Sequence, residues 1–281
     1  MVKEIIIDLI SKSKTIWNSY TKILELIDYS LFFIKKNWWD KADKKIDFSK
    51  VYINLGGGRF IRRHWKVLDY KSKHYNYNNN YIDVSFDFNT LKNNNTLPFE
   101  NNSVDLFYSS HVIEHLEDET VKRILKECYR TLKYGGGIRI TCPDMDKAYE
   151  AYKNNNWAFF ICYDDKTLSK KFLHYFATPI RNNFSQESIN QLFRNKTKIE
   201  FFNYFTKKIK FDYNNVGDHI SWYNLEKLNR YLKEAGFKKI IHSKEGFSYF
   251  KQMRHNSLFS RGRFDAGDPK KSLFIDAIKI K

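Results

Sequence analysis

The sequence predicts an α/β fold with a mainly parallel sheet, and three observations carry that prediction. Val51-Tyr-Ile-Asn-Leu55 is a short, apolar, β-branched run that feeds directly into Gly56-Gly-Gly58, a strand entering a glycine-rich turn. Strand-like runs then alternate with helical periodicity as far as the C-terminal region. Carboxylates stand at the ends of two of these runs, Asp69 and Asp87, and ligands of such sheets sit at the carboxyl ends of the strands.

The elements follow in order. Residues 1–47 read as helical, with Ile16, Tyr20, Ile23, Ile27, Leu31 and Ile34 forming one apolar stripe at three- and four-residue steps. Such an extension covers its own domain, a second subunit in a homodimer, or an anionic membrane surface, the last helped by interspersed lysines. The remainder, residues 48–281, reads as one domain. Gly56, Gly57 and Gly58 let the chain turn sharply and bring backbone N–H groups near a ligand. A plain tight turn uses the same residues. A dinucleotide fingerprint needs a third glycine where Ile61 stands, which argues against NAD.

Lys66 to Tyr70 is a second strand, and Asp69 at its tip suits a ribose diol or a simple cap. Tyr81 to Phe88 reads as a third strand and Val104 to Ser109 as a fourth. Ser110-His-Val-Ile-Glu-His115 leads into a helix from about Asp118 to Lys133. Its apolar face is Val121, Ile124, Leu125, Cys128 and Leu132, and Gly135-Gly-Gly137 is expected to cap it. Gly137 to Cys142 is a fifth strand, stopped by Pro143. Residues 144–218 lose the sheet rhythm and read as a helical, aromatic insertion on the substrate side. Tyr223 to Ala235 is a helix ended by Gly236, followed by strands over Phe237–His242 and Ser272–Lys279.

Composition narrows the function classes. The net charge of +17 in 281 residues suits an anionic partner. It is spread rather than clustered, and the chain is rich in Lys, Asn, Ile, Phe and Tyr, as an AT-rich genome produces. Nucleic acid is disfavoured for want of a basic stripe with stacking aromatics. Cys128, Cys142 and Cys162 have no C-x-x-C spacing, so a cytoplasmic setting is expected. No apolar run nears the ~18 residues of a spanning helix, and Asp8 interrupts the first apolar stretch, against a signal peptide. No metal constellation is legible: there is no H-x-x-x-H and no tight Asp/Glu cluster.

Taken together, the sequence resembles class I S-adenosylmethionine-dependent methyltransferases, most of all the bacterial branch found among surface-polysaccharide genes. The carrying residues are Asn54-Leu-Gly-Gly-Gly58, Val67-Leu-Asp69, Leu97-Pro-Phe-Glu-Asn-Asn-Ser-Val-Asp105, Ser110-His-Val-Ile-Glu-His115, Leu132-Lys-Tyr-Gly-Gly-Gly137, Cys142-Pro-Asp144 and Asp265 to Lys279. The resemblance implies a Rossmann-like, mostly parallel, seven-stranded sheet and the cofactor S-adenosyl-L-methionine. It places Asn54, Leu55 and Gly56–Gly58 under the methionine moiety, Asp69 on the ribose, Asp87 and Phe88 at the adenine, and Ser110 and His111 near the sulfonium. Many members carry an acid where Asn54 stands, and Asn brings no charge to the ammonium.

The implied reaction is O-methylation of a sugar or of a nucleotide- or lipid-linked glycan. Another small phosphorylated metabolite, an RNA, or a non-catalytic cofactor-binding scaffold are the alternatives. A hydroxyl acceptor needs a general base. His219, in Gly217-Asp-His-Ile-Ser-Trp-Tyr223 where the insertion rejoins the sheet, leads the candidates, because the family often has a histidine there. His115 and Glu114 come next, with His111, Asp144 and His174 behind them.

Overall fold

A computed structural model describes residues 47, 49–57, 64–72, 82–254, 268 and 270–281. The N-terminal extension, Gly58 and most of the 255–269 loop lie outside the described residues, and with them the expectations placed there. Seven strands form one sheet in the order β3-β2-β1-β4-β5-β7-β6. They are β1 (Tyr52–Leu55), β2 (Trp65–Asp69), β3 (Val84–Ser85), β4 (Val104–Ser110), β5 (Leu132–Pro143), β6 (Lys239–His242) and β7 (Ser272–Ile278). β7 runs antiparallel to both its neighbours, and all other pairings are parallel. This is the Rossmann-like, mostly parallel, seven-stranded sheet expected from the sequence.

Alternation along the strands explains the layering. Ile53, Leu55 and Phe107 face a core shared with helices α1 (Asp118–Thr131) and α6 (Leu225–Ala235). Tyr52, Leu106 and Tyr108 face the other way, against Trp65, Phe250 and Met253. The apolar face read for α1 is buried at Val121, Ile124, Leu125 and Cys128, with Leu132 just past its end. Asp118 and Glu119 open α1 and Arg130 closes it, the charge order its dipole favours. Gly236, at φ 112°, ends α6 as expected.

Two readings are corrected. The third strand is only Val84–Ser85, because the Asp87 side chain accepts from Asn89 N–H and starts a 3₁₀ turn over Phe88–Asn93. Gly135–Gly137 do not cap α1, which ends at Thr131; they lie inside β5. The β4–β5 register slips beside them, and backbones come close: a Cβ on Gly136 would sit 2.5 Å from Asp105 O, and one on Gly137 would sit 2.2 Å from Ala277 O.

A buried ion pair ties β5 to β7. Arg139 and Asp276 are both 0% exposed, with Arg139 Nη1 3.0 Å from Asp276 Oδ1. Ser248 Oγ and Tyr249 N–H donate to the same carboxylate at 2.9 Å each, and Arg139 Nη2 donates to Lys244 O at 3.0 Å.

Between β5 and α6, residues 144–218 form α2 (Met145–Lys153), α3 (Leu168–His174), α4 (Gln186–Asn195) and α5 (Lys198–Thr206). They enclose their own aromatic core of Phe160, Phe172, Phe176, Phe201, Phe202 and Phe205. Phe172 stacks parallel to Phe201 at 5.7 Å. Among the described residues no helix is long and apolar enough to cross a membrane.

Candidate active site

The carboxyl ends of β1, β2 and β4 bring the predicted residues to one edge of the sheet. Gly56 takes φ 64°, and its N–H donates to Leu68 O at 2.9 Å. A Cβ on Gly56 would lie 2.5 Å from the Val112 side chain, and one on Gly57 would lie 2.2 Å from Val67 Cγ1. Glycine is therefore favoured at Gly56 by conformation as well as packing, and at Gly57 by packing alone. Asn54 is buried at 2% exposure and donates to Gly57 O at 3.3 Å, so it braces the turn. Leu55 faces the core.

Asp69, at the tip of β2, accepts from Tyr70 N–H at 2.7 Å. Asp87 has a partner that sequence reasoning missed. Tyr213, at the end of the insertion, donates its hydroxyl to Asp87 Oδ2 at 2.7 Å and meets Tyr70 edge-on at 5.7 Å. That carboxylate pushes the Tyr213 hydroxyl up to about 12. The Phe88 ring is 5% exposed within the main core.

At the end of β4, Ser110 Oγ meets Thr141 Oγ1 at 2.8 Å. His111, in the left-handed region at φ 54°, places Nδ1 3.0 Å from Glu114 Oε1 and Nε2 3.3 Å from Ser272 Oγ. Ile113–His115 form a short 3₁₀ turn that points Glu114 inward, where it is 1% exposed. The Gly217–Tyr223 junction docks on this turn. Ile220 N–H and Ser221 N–H both donate to Glu114 O, at 2.9 and 3.1 Å, and Ser221 Oγ donates to Leu116 O at 2.7 Å. The insertion thus returns to the strand ends, as the sequence predicts.

His219 arrives there with Nδ1 2.8 Å from Tyr175 O. His115 Nδ1 lies 3.1 Å from Asp218 O, so Asp218 orients an imidazole through its carbonyl. The two rings meet edge-to-face at 4.7 Å. Burial pushes His219 down to about 4, with the neighbouring His115 adding to the effect. Burial alone raises the Glu114 carboxyl, but the His111 hydrogen bond and the surrounding imidazoles outweigh it and hold it at about 2. The edge therefore pairs an ionised, buried carboxylate with a neutral imidazole at pH 7. Glu114, His115 and His219 present ligand-type atoms within 4.8 Å of one another, a convergence that no spacing in the sequence shows, since His115 and its Asp218 partner lie 103 positions apart.

The remaining candidates have structural duties. Asp144 accepts from Asp146 N–H at the start of α2. His174 Nδ1 pairs with Asp165 Oδ2 at 2.7 Å. Of the aromatic runs around 157–163 and 172–176, which suggest sugar-stacking faces in sequence, Phe160, Phe172 and Phe176 are 0% exposed, whereas Trp157 is 47% exposed.

Residues 56–140 match the family model described as a methyltransferase domain. The chain carries a methyltransferase domain. The match runs from the glycine turn to the middle of β5 and takes in Asp69, Asp87 and the His111–His115 turn. It agrees with the enzyme class and the cofactor that the sequence resemblance implies. No curated protein matches the chain.

Among solved structures, the apo form of the S-adenosylmethionine-dependent methyltransferase SibL is 11% identical, with a TM-score of 0.39, over 90% of this chain and 59% of its own. This chain therefore spans less than two thirds of SibL. An S-adenosylmethionine-dependent methyltransferase from Archaeoglobus fulgidus is 16% identical, TM-score 0.41, over 91% and 94% of the two chains. One from Thermotoga maritima is 14% identical, TM-score 0.42, over 95% and 97%. None of these likenesses bears on the acceptor of the methyltransferase domain described here.

Proposed function

We propose that the chain is an S-adenosylmethionine-dependent O-methyltransferase, and that its acceptor is a sugar or a nucleotide- or lipid-linked glycan of a surface polysaccharide. Residues 48–281 are its catalytic domain and 144–218 its substrate-side insertion. The observation that carries the reading is the Glu114–His115–His219 centre beside the glycine turn, at the end of β4. Methyl transfer to a hydroxyl needs a place for the hydroxyl proton to be lost, and burial holds the His219 imidazole neutral beside the ionised Glu114 carboxylate.

The residues fit the cofactor. The Gly56–Gly57 turn is closely packed at the end of β1, and Asp69 and Asp87 are acceptors of the kind a ribose diol and an adenine amino group require. Bound S-adenosylmethionine supplies an electrophilic methyl on its sulfonium. The protein's tasks are then to align the acceptor oxygen, exclude water and take up the proton. His111 holds Glu114 in place, and Tyr175 O holds the His219 ring through Nδ1. Asn54, spent on Gly57 O, leaves the ammonium of the cofactor to other groups. The net charge of +17 supports a phosphate-bearing acceptor.

Incubation with isotope-labelled S-adenosylmethionine and a panel of nucleotide sugars, followed by mass spectrometry, tests the reading. Label is expected on a sugar oxygen. With that acceptor, His219→Gln is expected to keep S-adenosylhomocysteine affinity and lose about 10²–10⁴-fold in turnover. Label on a non-sugar phosphorylated metabolite instead would move the acceptor assignment and keep the chemistry.

A further inference from the structure

We propose that Glu114, His115 and His219 bind one divalent first-row transition-metal cation, of which Zn²⁺ is the representative case. The inference rests on the O-methyltransferase reading for its role, and on the side-chain geometry for its existence.

Each imidazole has its Nδ1 against a backbone carbonyl, His115 on Asp218 O and His219 on Tyr175 O. A carbonyl only accepts, so both Nδ1 atoms carry the proton and both Nε2 atoms present a lone pair. This is the arrangement by which proteins fix the tautomer of metal-ligating histidines. The third group is a carboxylate with one oxygen held and one open. Glu114 Oε1 lies against His111 Nδ1. Among the described residues nothing donates to Oε2, although that atom is buried. Each of the three residues offers one ligand-type atom, and these atoms lie within 4.8 Å of one another. A cation at their centre would bond to all three.

The donor set indicates the class of ion. Two imidazole nitrogens and one carboxylate oxygen suit Zn²⁺, Fe²⁺, Co²⁺ or Mn²⁺ rather than Mg²⁺ or Ca²⁺, which take mostly oxygen ligands. Ligand bonds of about 2.0–2.2 Å require the two rings to draw inward a little. Three protein ligands leave a position open, the signature of a reactive rather than a purely structural site. Glu114 closes the inner side, whereas His115 and His219 are partly exposed, so the open position faces the acceptor side. An acceptor hydroxyl bound there would release its proton to water more readily than when free. Its oxygen lone pair then forms the O–CH₃ bond, and the S–CH₃ bonding pair returns to sulfur, leaving a neutral thioether. In this arrangement the three residues are ligands, and His111 is a positioning residue.

The test uses the full chain, stripped with a chelator and dialysed. Titration with ZnSO₄ by calorimetry is expected to show one saturable equivalent, and CoCl₂ should give the visible absorption of a nitrogen- and oxygen-ligated Co²⁺. His115→Ala and His219→Ala are each expected to abolish the saturable phase. His111→Ala should keep the stoichiometry and weaken binding by about 10- to 100-fold. Circular dichroism and S-adenosylhomocysteine binding report whether each variant is folded. A stripped protein that binds S-adenosylhomocysteine but takes up no Zn²⁺ or Co²⁺ would overturn the metal site and leave the methyltransferase reading standing. Uptake that survives the double His115→Ala/His219→Ala substitution would overturn it as well. Saturable metal uptake without S-adenosylhomocysteine binding would support the site and remove the function proposed for it.

Discussion

Two of the buried carboxylates among the described residues, Asp276 and Glu114, are treated differently. Asp276 lies in the middle of the sheet with its charge closed: Arg139, Ser248 Oγ and Tyr249 N–H saturate both oxygens. Glu114 lies at the carboxyl end of the sheet with its charge open: His111 holds one oxygen, and among the described residues the other, buried, oxygen has no hydrogen-bond partner. A buried charge is tolerated when it is paired and hydrogen-bonded. Where a fold completes that pairing, the group serves the architecture. Where it stops one bond short at a strand end, the remaining valence is available to a ligand.

The largest expected effect breaks the closed centre. Asp276→Ala strands the Arg139 guanidinium, and urea unfolding should show a loss of about 3–5 kcal/mol. The equally buried Glu114→Gln replaces a charge that is only half-satisfied, and its loss should be well under half of that. Equal losses would erase the distinction between the two carboxylates.

Next in size is the cofactor edge. Asp69→Ala should weaken S-adenosylhomocysteine binding by roughly 1.5–3 kcal/mol, the range for hydrogen bonds to a charged group. Calorimetry showing unchanged affinity would remove Asp69 from the ribose. A smaller effect of opposite sign is expected at Tyr213. Its hydroxyl occupies Asp87 Oδ2, so Tyr213→Phe should tighten binding by about 0.5–1.5 kcal/mol. Weaker binding would mean that the hydroxyl helps to hold the ligand.

The smallest effect is in acid. Burial alone raises the Asp105 carboxyl, but hydrogen bonds from Lys133 and Val51 N–H, with Lys133 and Lys50 charge beside them, win and hold it below its usual value. A depressed folded value means that the unfolded chain binds more protons. The stabilisation is therefore complete above the unfolded value and is lost as pH falls through the folded one. Asp105→Asn should flatten the decline in stability below about pH 4 and leave neutral pH behaviour of the Glu114 centre unchanged. A decline as steep as in the parent would place the acid-sensitive charge elsewhere.

Much of the fold was legible because it is local. Short β-branched runs located β1, β2 and β4, and the Val121–Cys128 periodicity located α1. The failures were failures of context. Phe86 and Phe88 looked like strand residues, but Asp87 between them caps a turn. Gly135–Gly137 looked like a helix stop, but they relieve backbone crowding against Asp105 and Ala277. Phe172 and Phe176 looked like a sugar platform, yet an insertion of four helices needs its own core. At the site, His219 was found through the junction in which it stands. Its convergence with Glu114 was not, because the hydrogen bonds that join the two segments span more than a hundred residues and leave no periodic trace.

The place of β7 has a consequence for how the chain is made. β7 is the last strand in sequence, yet it lies between β5 and β6. On the ribosome, segments emerge in order, at about 5–20 residues per second. β6 therefore emerges with no strand to pair with, and β5 presents an open edge. Arg139 waits on that edge for Asp276. The nascent chain thus passes through an interval of several seconds with an unpaired edge and an unanswered charge. In that interval chaperone capture competes with aggregation, and completion of the sheet by its final strand ends it.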